Sequence, residues 1–247
     1  MGSADSILPR ALLLTVLVGF LGEGGIVDAR VVRVEMTHVE SPTFAGRSFG
    51  DVGLYEKLIG RVFGEVDPEA LGNEVIVDLQ LAPRNARGQV EYVADLLILR
   101  PIDRASGNGR VFFEVNNRGR LLSLGQLNDA RSGGSDPSAA EDAGNGFLMR
   151  QGYTFVSSGW DATAGSGDNR LTLTVPVAAL PGGAPVEGPS LEEFVVDTDG
   201  MMTGTLTYPV ATRDQSQPQL TVRSRYTDPP IAIADDGWAY IDDRTIQ

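Results

Sequence analysis

Alternation of apolar and polar residues dominates positions 31–100. Val31 to Glu40 (VVRVEMTHVE) alternates with a period of two, which places successive side chains on opposite faces of a half-buried strand. Ser41 to Gly53 is a Gly/Ser/Pro loop, and Tyr55 to Val66 (YEKLIGRVFGEV) resumes a strand pattern stopped by Asp67-Pro68. Glu74 to Leu81 (EVIVDLQL) alternates cleanly, with Val75, Val77, Leu79 and Leu81 on one face. Gln89 to Arg100 (QVEYVADLLILR) follows and is halted by Pro101. The short turn Pro83 to Gly88 between these last two runs predicts a hairpin.

From Gly107 to Thr163 the pattern changes character. The apolar run Arg110 to Val115 (RVFFEV) ends in a polar, glycine-bearing turn, Asn116-Asn-Arg-Gly119. This run is not amphipathic, which predicts a buried parallel strand. A loose segment, Ser132 to Pro137, leads into a helix-like stretch from Ala139 to Gln151. Ser138 or Asp136 is placed to cap it, since their oxygens accept from the free N–H groups of a first turn. A second apolar strand, Gly152 to Ser158, closes on Gly159-Trp160. Beyond Asn169 the chain turns to short β-like runs (Leu171 to Val175, Leu191 to Val196, Met202 to Tyr208, Gln219 to Tyr226) around a Pro/Gly-rich stretch from Pro176 to Pro189. The expected organisation is a leader at 1–29, a strand-rich α/β sheet at 30–168 and a β-rich inserted or appended segment at 169–247.

Composition narrows the chemistry. Thirty Gly and 14 Pro with 7% aromatics favour turns and short strands over a helical bundle. A net charge of −13 without a basic cluster excludes nucleic acid as the partner. Cysteine is absent, which removes disulfides, thiolate metal sites and a cysteine nucleophile. His38 is the only histidine, so a zinc site built on several imidazoles is excluded. A Ser-His-Asp triad would have to use His38, on the first long strand. No cofactor and no metal are expected, and Asp235-Asp236 and Asp242-Asp243 read as solvated acidic turns without calcium-loop spacing. Met1 to Ala29 has the form of a secretory leader: Arg10, then an apolar Ala11 to Leu21, then Val27-Asp-Ala29 at a cleavage position, with Asp5 off pattern. The run is too short to span a bilayer as a helix. It implies a periplasmic or secreted bacterial protein, with no stable membrane span once the leader is removed.

Strand, glycine turn, helix and strand, in that order, is how an oxyanion loop is built: a backbone N–H after the strand faces the developing charge, and glycine allows close approach. Asn116, Asn117, Arg118 and Gly119 are the loop candidates, with Trp160 a candidate pocket wall. The alternative is a plain turn at the end of a strand, where Asn and Gly are common because they tolerate positive φ. Gly144-Asn-Gly146 and Gly165-Ser-Gly167 lack phosphate-loop spacing and read as turns. Ser157-Ser158 sits at a strand end with no histidine following it. No G-x-S-x-G is present, so no catalytic residue is assigned.

Several separated runs are familiar: Ser41-Pro-Thr-Phe-Ala-Gly-Arg-Ser-Phe-Gly50, Asp51-Val-Gly-Leu-Tyr-Glu-Lys57, Leu81-Ala-Pro-Arg-Asn-Ala-Arg-Gly88, Glu114-Val-Asn-Asn-Arg-Gly119 and Asn145-Gly-Phe-Leu-Met-Arg-Gln-Gly-Tyr153. Over Val31 to the end, the chain resembles the N-terminal region of the bacterial alpha/beta hydrolase domain-containing proteins, which are large, often exported, presumed esterases. The resemblance implies an α/β-hydrolase fold and a small-molecule ester substrate, with the nucleophile elbow and late histidine lying in a longer C-terminal half. The expectation is therefore the N-terminal portion of a serine-type ester hydrolase, inactive alone. The competing expectation is a secreted β-rich binding or structural module without catalysis.

Overall fold

The structure, a computed structural model, describes residues 15–16, 29–131 and 134–247. The leader-like run therefore lies almost wholly outside the described residues. The chain divides into two units, 1–184 and 185–247.

The first unit is mixed α/β, built on one strand-rich sheet. Its strands are β1 (Thr15–Val16), β2 (Ala29–Glu40), β3 (Tyr55–Val66), β4 (Val90–Pro101), β5 (Val111–Glu114), β6 (Thr154–Ser158) and β7 (Leu173–Thr174), with short helices α1 (Ser123–Asn128) and α2 (Phe147–Arg150) between β5 and β6. The order is β1-β2-β3-β4-β6-β5, with β7 also on β4. β3 and β4 pair antiparallel along their whole length, from Tyr55 opposite Pro101 to Val66 opposite Val90. β6 runs antiparallel to β4 but parallel to β5. Parallel neighbours cannot be joined by a tight turn, so the α1–α2 segment serves as the crossover between them.

That crossover covers one face of the sheet. Phe44, Phe49, Tyr55, Leu97, Leu99 and Phe155 meet Leu121, Leu124, Leu148 and Met149 in one buried cluster. The buried Tyr55 hydroxyl lies 2.9 Å from the Tyr153 carbonyl and 3.1 Å from that of Met149, and burial pushes its pKa up. Lys57, the single lysine, is also buried. Its ammonium donates to Glu40 Oε2 at 2.8 Å, to Asp136 and to Ser138, tying β2 and β3 to the loop ahead of α2.

Several expectations fail here for physical reasons. Glu74 to Leu81 is not a strand and does not pair with β4: it forms short 3-10 turns at Leu71–Asn73 and Leu79–Leu81, and leaves Val75 and Val77 84% exposed. Both edges of β4 are already occupied, one by β3 and the other by β6 and β7. The helix expected from Ala139 to Gln151 is broken into a 3-10 turn, Ala140–Ala143, and α2, because Gly144 and Gly146 between them both take positive φ. Neither Ser138 nor Asp136 caps it; instead Asp142, within the 3-10 turn, reaches back and accepts through Oδ2 from the N–H groups of Ser138 and Ala139 ahead of it, at 2.9 Å each. Asp136 and Ser138 are instead held by Lys57. β5 is parallel as expected but half-buried: Phe112 and Glu114 face in, while Val111, Phe113 and Val115 are mostly exposed.

The second unit is small and turn-rich. β8 (Gly204–Thr205) pairs with β11 (Thr245–Ile246), and β9 (Thr221–Val222) with β10 (Ile231–Ala232). Its core is Leu206, Trp238 and Ile246, with Trp238 edge-on to Tyr240. The β run expected at Leu191 to Val196 does not form, and Leu191 is 98% exposed because no strand faces it. Among the described residues no helix is long and apolar enough to cross a membrane.

Candidate functional site

The parallel pair β5 and β6 delivers two loops to the same end of the sheet, 115–120 and 159–163. In open α/β sheets this carboxyl end is where ligands are bound. The period-two alternation of β5 continues into its loop. Glu114 and Asn116 are buried, whereas Val115 and Asn117 point out.

Asn116 staples the two loops. Its Nδ2 donates to Ser157 Oγ at 3.0 Å and to the Ser158 carbonyl at 2.8 Å, and its Oδ1 accepts from the Gly119 N–H at 2.7 Å. Both Nδ2 hydrogens and the Oδ1 of this side chain are thus bonded inside the protein, where it is 1% exposed. Ser157, fully buried, donates to the Glu114 carbonyl at 3.0 Å. The Glu114 carboxylate in turn accepts from the N–H groups of Leu122 and Ser123 at the start of α1.

Asn117 to Arg120 forms a two-residue turn closed by reciprocal backbone bonds of 2.9 and 3.1 Å. Arg118 and Gly119 at its centre both take positive φ, +48° and +86°, the requirement of a type I′ turn. Gly119 is needed twice over: a Cβ there would lie 2.8 Å from Arg170 Cβ and from the Leu171 carbonyl. Ser135 donates to the Gly119 carbonyl at 2.9 Å, which fixes the turn from behind.

Trp160 stands beside this turn, half-exposed, and its Nε1 donates to the Asn116 carbonyl at 2.8 Å. Arg118 reaches across to Asp161 at 2.9 Å and to Thr163 Oγ1 at 2.9 Å. The Thr163 hydroxyl and N–H both donate to Asp161, and these bonds, helped by Arg118, hold its carboxyl below the usual range. Gly159 lets the chain pass against Thr172, whose carbonyl occupies the space a Cβ would take.

The structure thus brings Asn116, Asn117, Arg118, Gly119 and Trp160 together. Their roles divide. The N–H groups of Asn117 and Gly119 are bonded within the turn, whereas among the described residues the Arg118 N–H has no acceptor and the exposed Asn117 side chain has no partner. These are the donors the turn presents outward. Asp161, Thr163 and Ser135 are partners that the sequence pattern does not single out, and Ser157, noted at its strand end, bonds Asn116 and the Glu114 carbonyl. Asp161-Ala-Thr163 carries a local signal, a carboxylate two residues before a threonine, of the kind that closes an Asx turn.

Nucleophile and base are not paired here. His38 on β2 lies opposite Ile59, Ile59 opposite Leu97, and Leu97 opposite Ser157. Three strand spacings of about 4.8 Å put His38 roughly 14 Å from Ser157. Lys57 contacts Ser138, but as a donor shared with two carboxylates, which is the reverse of what a general base requires. Among the described residues no group of three or more His, Asp or Glu side chains is arranged to hold a metal. No protein-family model, curated protein or solved structure matches the chain.

Proposed function

We propose that the first unit is the front of a serine-type carboxylic-ester hydrolase sheet, and that the Asn116–Gly119 turn and Trp160 are its contribution to the oxyanion site and pocket wall. The observation that carries this reading is the strand arrangement. An antiparallel strand, β4, lies between β3 and the parallel pair β6–β5, and the β5 loop stands at the carboxyl end beside the β6 loop. An α/β-hydrolase sheet begins with the same arrangement. The resemblance of the runs between Ser41 and Tyr153 supports the same family.

In that reaction a serine attacks the acyl carbonyl, a histidine moves the proton, and fixed N–H groups take up the charge on the oxygen. The Arg118 N–H and Asn117 Nδ2 are the donors this chain offers. The serine and histidine would come from residues following the β5–β6 unit, on a strand laid along the outer edge of β5. Export belongs to the same proposal, on the leader-like run at 1–29.

The test is a fluorophosphonate probe and p-nitrophenyl butyrate applied to the chain alone, together with the reading frame beyond Gln247. The expected result is no labelled serine and no turnover, with a frame that continues into G-x-S-x-G and a later histidine. Labelling of Ser138, Ser157 or any other serine here refutes the division of labour, and a frame without that motif refutes the assignment.

A further inference from the structure

We propose that a groove at the Val66–Val90 end of the sheet binds an uncharged apolar ligand and turns away the corresponding carboxylate. Val66 and Val90 are the last cross-strand pair of β3 and β4 and form its floor. One wall is the turn Ile76 to Leu79; the other is the segment Leu173 to Ala178. A bond from the Ala179 N–H to the Leu81 carbonyl, 3.2 Å, ties the two walls together.

The groove has a volume of about 420 Å³. That falls within the range of roughly 300–1,000 Å³ typical of small-ligand sites, which are likewise apolar with a few polar groups. At roughly 30 Å³ per non-hydrogen atom, the share of one liquid water, it holds about 14 atoms.

The surrounding sequence is out of keeping with a plain surface loop. Glu74 to Leu81 has the composition of a strand yet is folded as turns that hold Ile76 and Val77 over an apolar floor. Violations of local preference of this kind concentrate where a site is built.

Charge selects the occupant. The lining carries two carboxylates, Asp78 and Glu91, and no lysine, arginine or histidine. An anionic head group would meet like charge with no cation to pair it, whereas an ester, alcohol or hydrocarbon meets no such cost.

The groove also opens at the same end of the sheet as the Asn116–Gly119 turn. The β6 strand ends against Asp95, where the Gly159 N–H bonds its carbonyl at 2.8 Å. Glu91 lies four residues further along β4, about 13 Å at the rise of a strand. Naming the ligand as the tail of an ester rests on the proposed hydrolase reading. The binding itself does not.

The experiment measures fluorescence of the small neutral probe 4-(dimethylamino)benzonitrile with the full chain, displaced by methyl decanoate or by decanoate at neutral pH; absence of probe binding also overturns the proposal. Methyl decanoate is expected to displace the probe, and ionised decanoate to do so about tenfold less well or worse, the discrimination expected of a carboxylate entering an unpaired apolar site. Val77→Asp with Val175→Asp places a charge on each wall at positions already 84% and 46% exposed, and is expected to weaken probe binding by at least about tenfold. Val77→Asp alone serves if the pair does not fold. Val177→Asp, at an 85% exposed valine outside the lining, is expected to change nothing.

Undiminished binding by the wall variants, or equal displacement by ester and acid, overturns the proposal. So does a dimer in sedimentation that Val77→Asp dissociates, since a second copy would then fill the groove. None of these readings requires hydrolysis, so they fail or succeed separately from the fluorophosphonate test.

Discussion

Asn116→Ala tests the stapled turn most directly, because its neighbour Asn117 is the same residue type with none of the same bonds. Truncating Asn116 removes both Nδ2 bonds and the acceptor for the Gly119 N–H. Ser157 keeps its own bond to the Glu114 carbonyl, so two groups are left without partners: the Gly119 N–H and the Ser158 carbonyl. Each orphaned buried group costs about 1–3 kcal/mol, which sums to about 4 kcal/mol in a domain whose whole stability is of the order of 10 kcal/mol. Urea unfolding followed by Trp160 fluorescence reads this in a Trp238→Phe background, where Trp160 is the only tryptophan left. With a slope of about 2 kcal/mol per molar urea, the midpoint is expected to fall by about 2 M. Asn117→Ala, at an exposed side chain, is expected to stay within about 0.5 kcal/mol of the parent. A shift for Asn116→Ala below about 0.5 M, or equal shifts for the two asparagines, refutes the argument that buried donors and acceptors hold this turn.

Gly119→Ala combines a positive φ with a Cβ 2.8 Å from Arg170 Cβ and the Leu171 carbonyl, and is expected to cost about 2 kcal/mol or more, read as a drop of roughly 5 °C in Tm. Lys57→Met deletes a buried cation bound to two carboxylates and a hydroxyl, and is expected to cost about 3 kcal/mol in the same urea assay. Because Lys57 is the only lysine and 2% exposed, an amine-reactive ester is expected to leave its side chain unmodified in the native chain and to modify it at the rate of unfolding, as peptide mass spectrometry can follow. Burial acts to raise the Glu40 pKa, but hydrogen bonds from Lys57, Thr43 and Ser138 outweigh it and hold the carboxyl below 4.5. A depressed folded pKa stabilises above the unfolded value and is lost as pH falls through the folded one, so the urea midpoint is expected to fall as pH drops below about 4.5, and Glu40→Gln to flatten that fall.

Much of the sheet was legible in the sequence. Tyr55 to Val66 matches β3 residue for residue, β2 and β4 lie within a residue or two of their alternating runs, and β5 and β6 within a residue or two of their apolar ones. Glu74 to Leu81 was misread for a definite reason. Alternation states which side chains would share a face, but not whether a partner edge exists, and β4 had none to give. The helix expected at Ala139 to Gln151 fails because Gly144 and Gly146 both take positive φ, which helical periodicity alone does not reveal. At the candidate site the sequence pattern groups Asn116 to Gly119 with Trp160 but does not tell which of them bond inward. The parity that separates Asn116 from Asn117 was nevertheless present, since position 116 continues the inward face of Phe112 and Glu114. The Lys57 cluster joins residues 40, 57, 136 and 138, and contacts across such distances in the chain leave no local pattern.

The two sides of β5 are finished very differently, and the contrast bears on the proposed role. Its carboxyl end is held by Asn116, Ser157, Trp160 and the exposed Arg118–Asp161–Thr163 bonds, so the turn cannot adjust without breaking several hydrogen bonds at once. Its outer edge pairs with no strand among the described residues, and Val111, Phe113 and Val115 stand mostly exposed on the face opposite Phe112 and Glu114. Proteins normally blunt such an edge with charge, proline or a bulge. β5 carries none of these devices pointing outward: its one charged residue, Glu114, is turned inward to bond the start of α1. Under the proposed hydrolase role the two features belong together, since a further strand laid on this open edge would bring its reacting group beside the fixed Arg118 N–H.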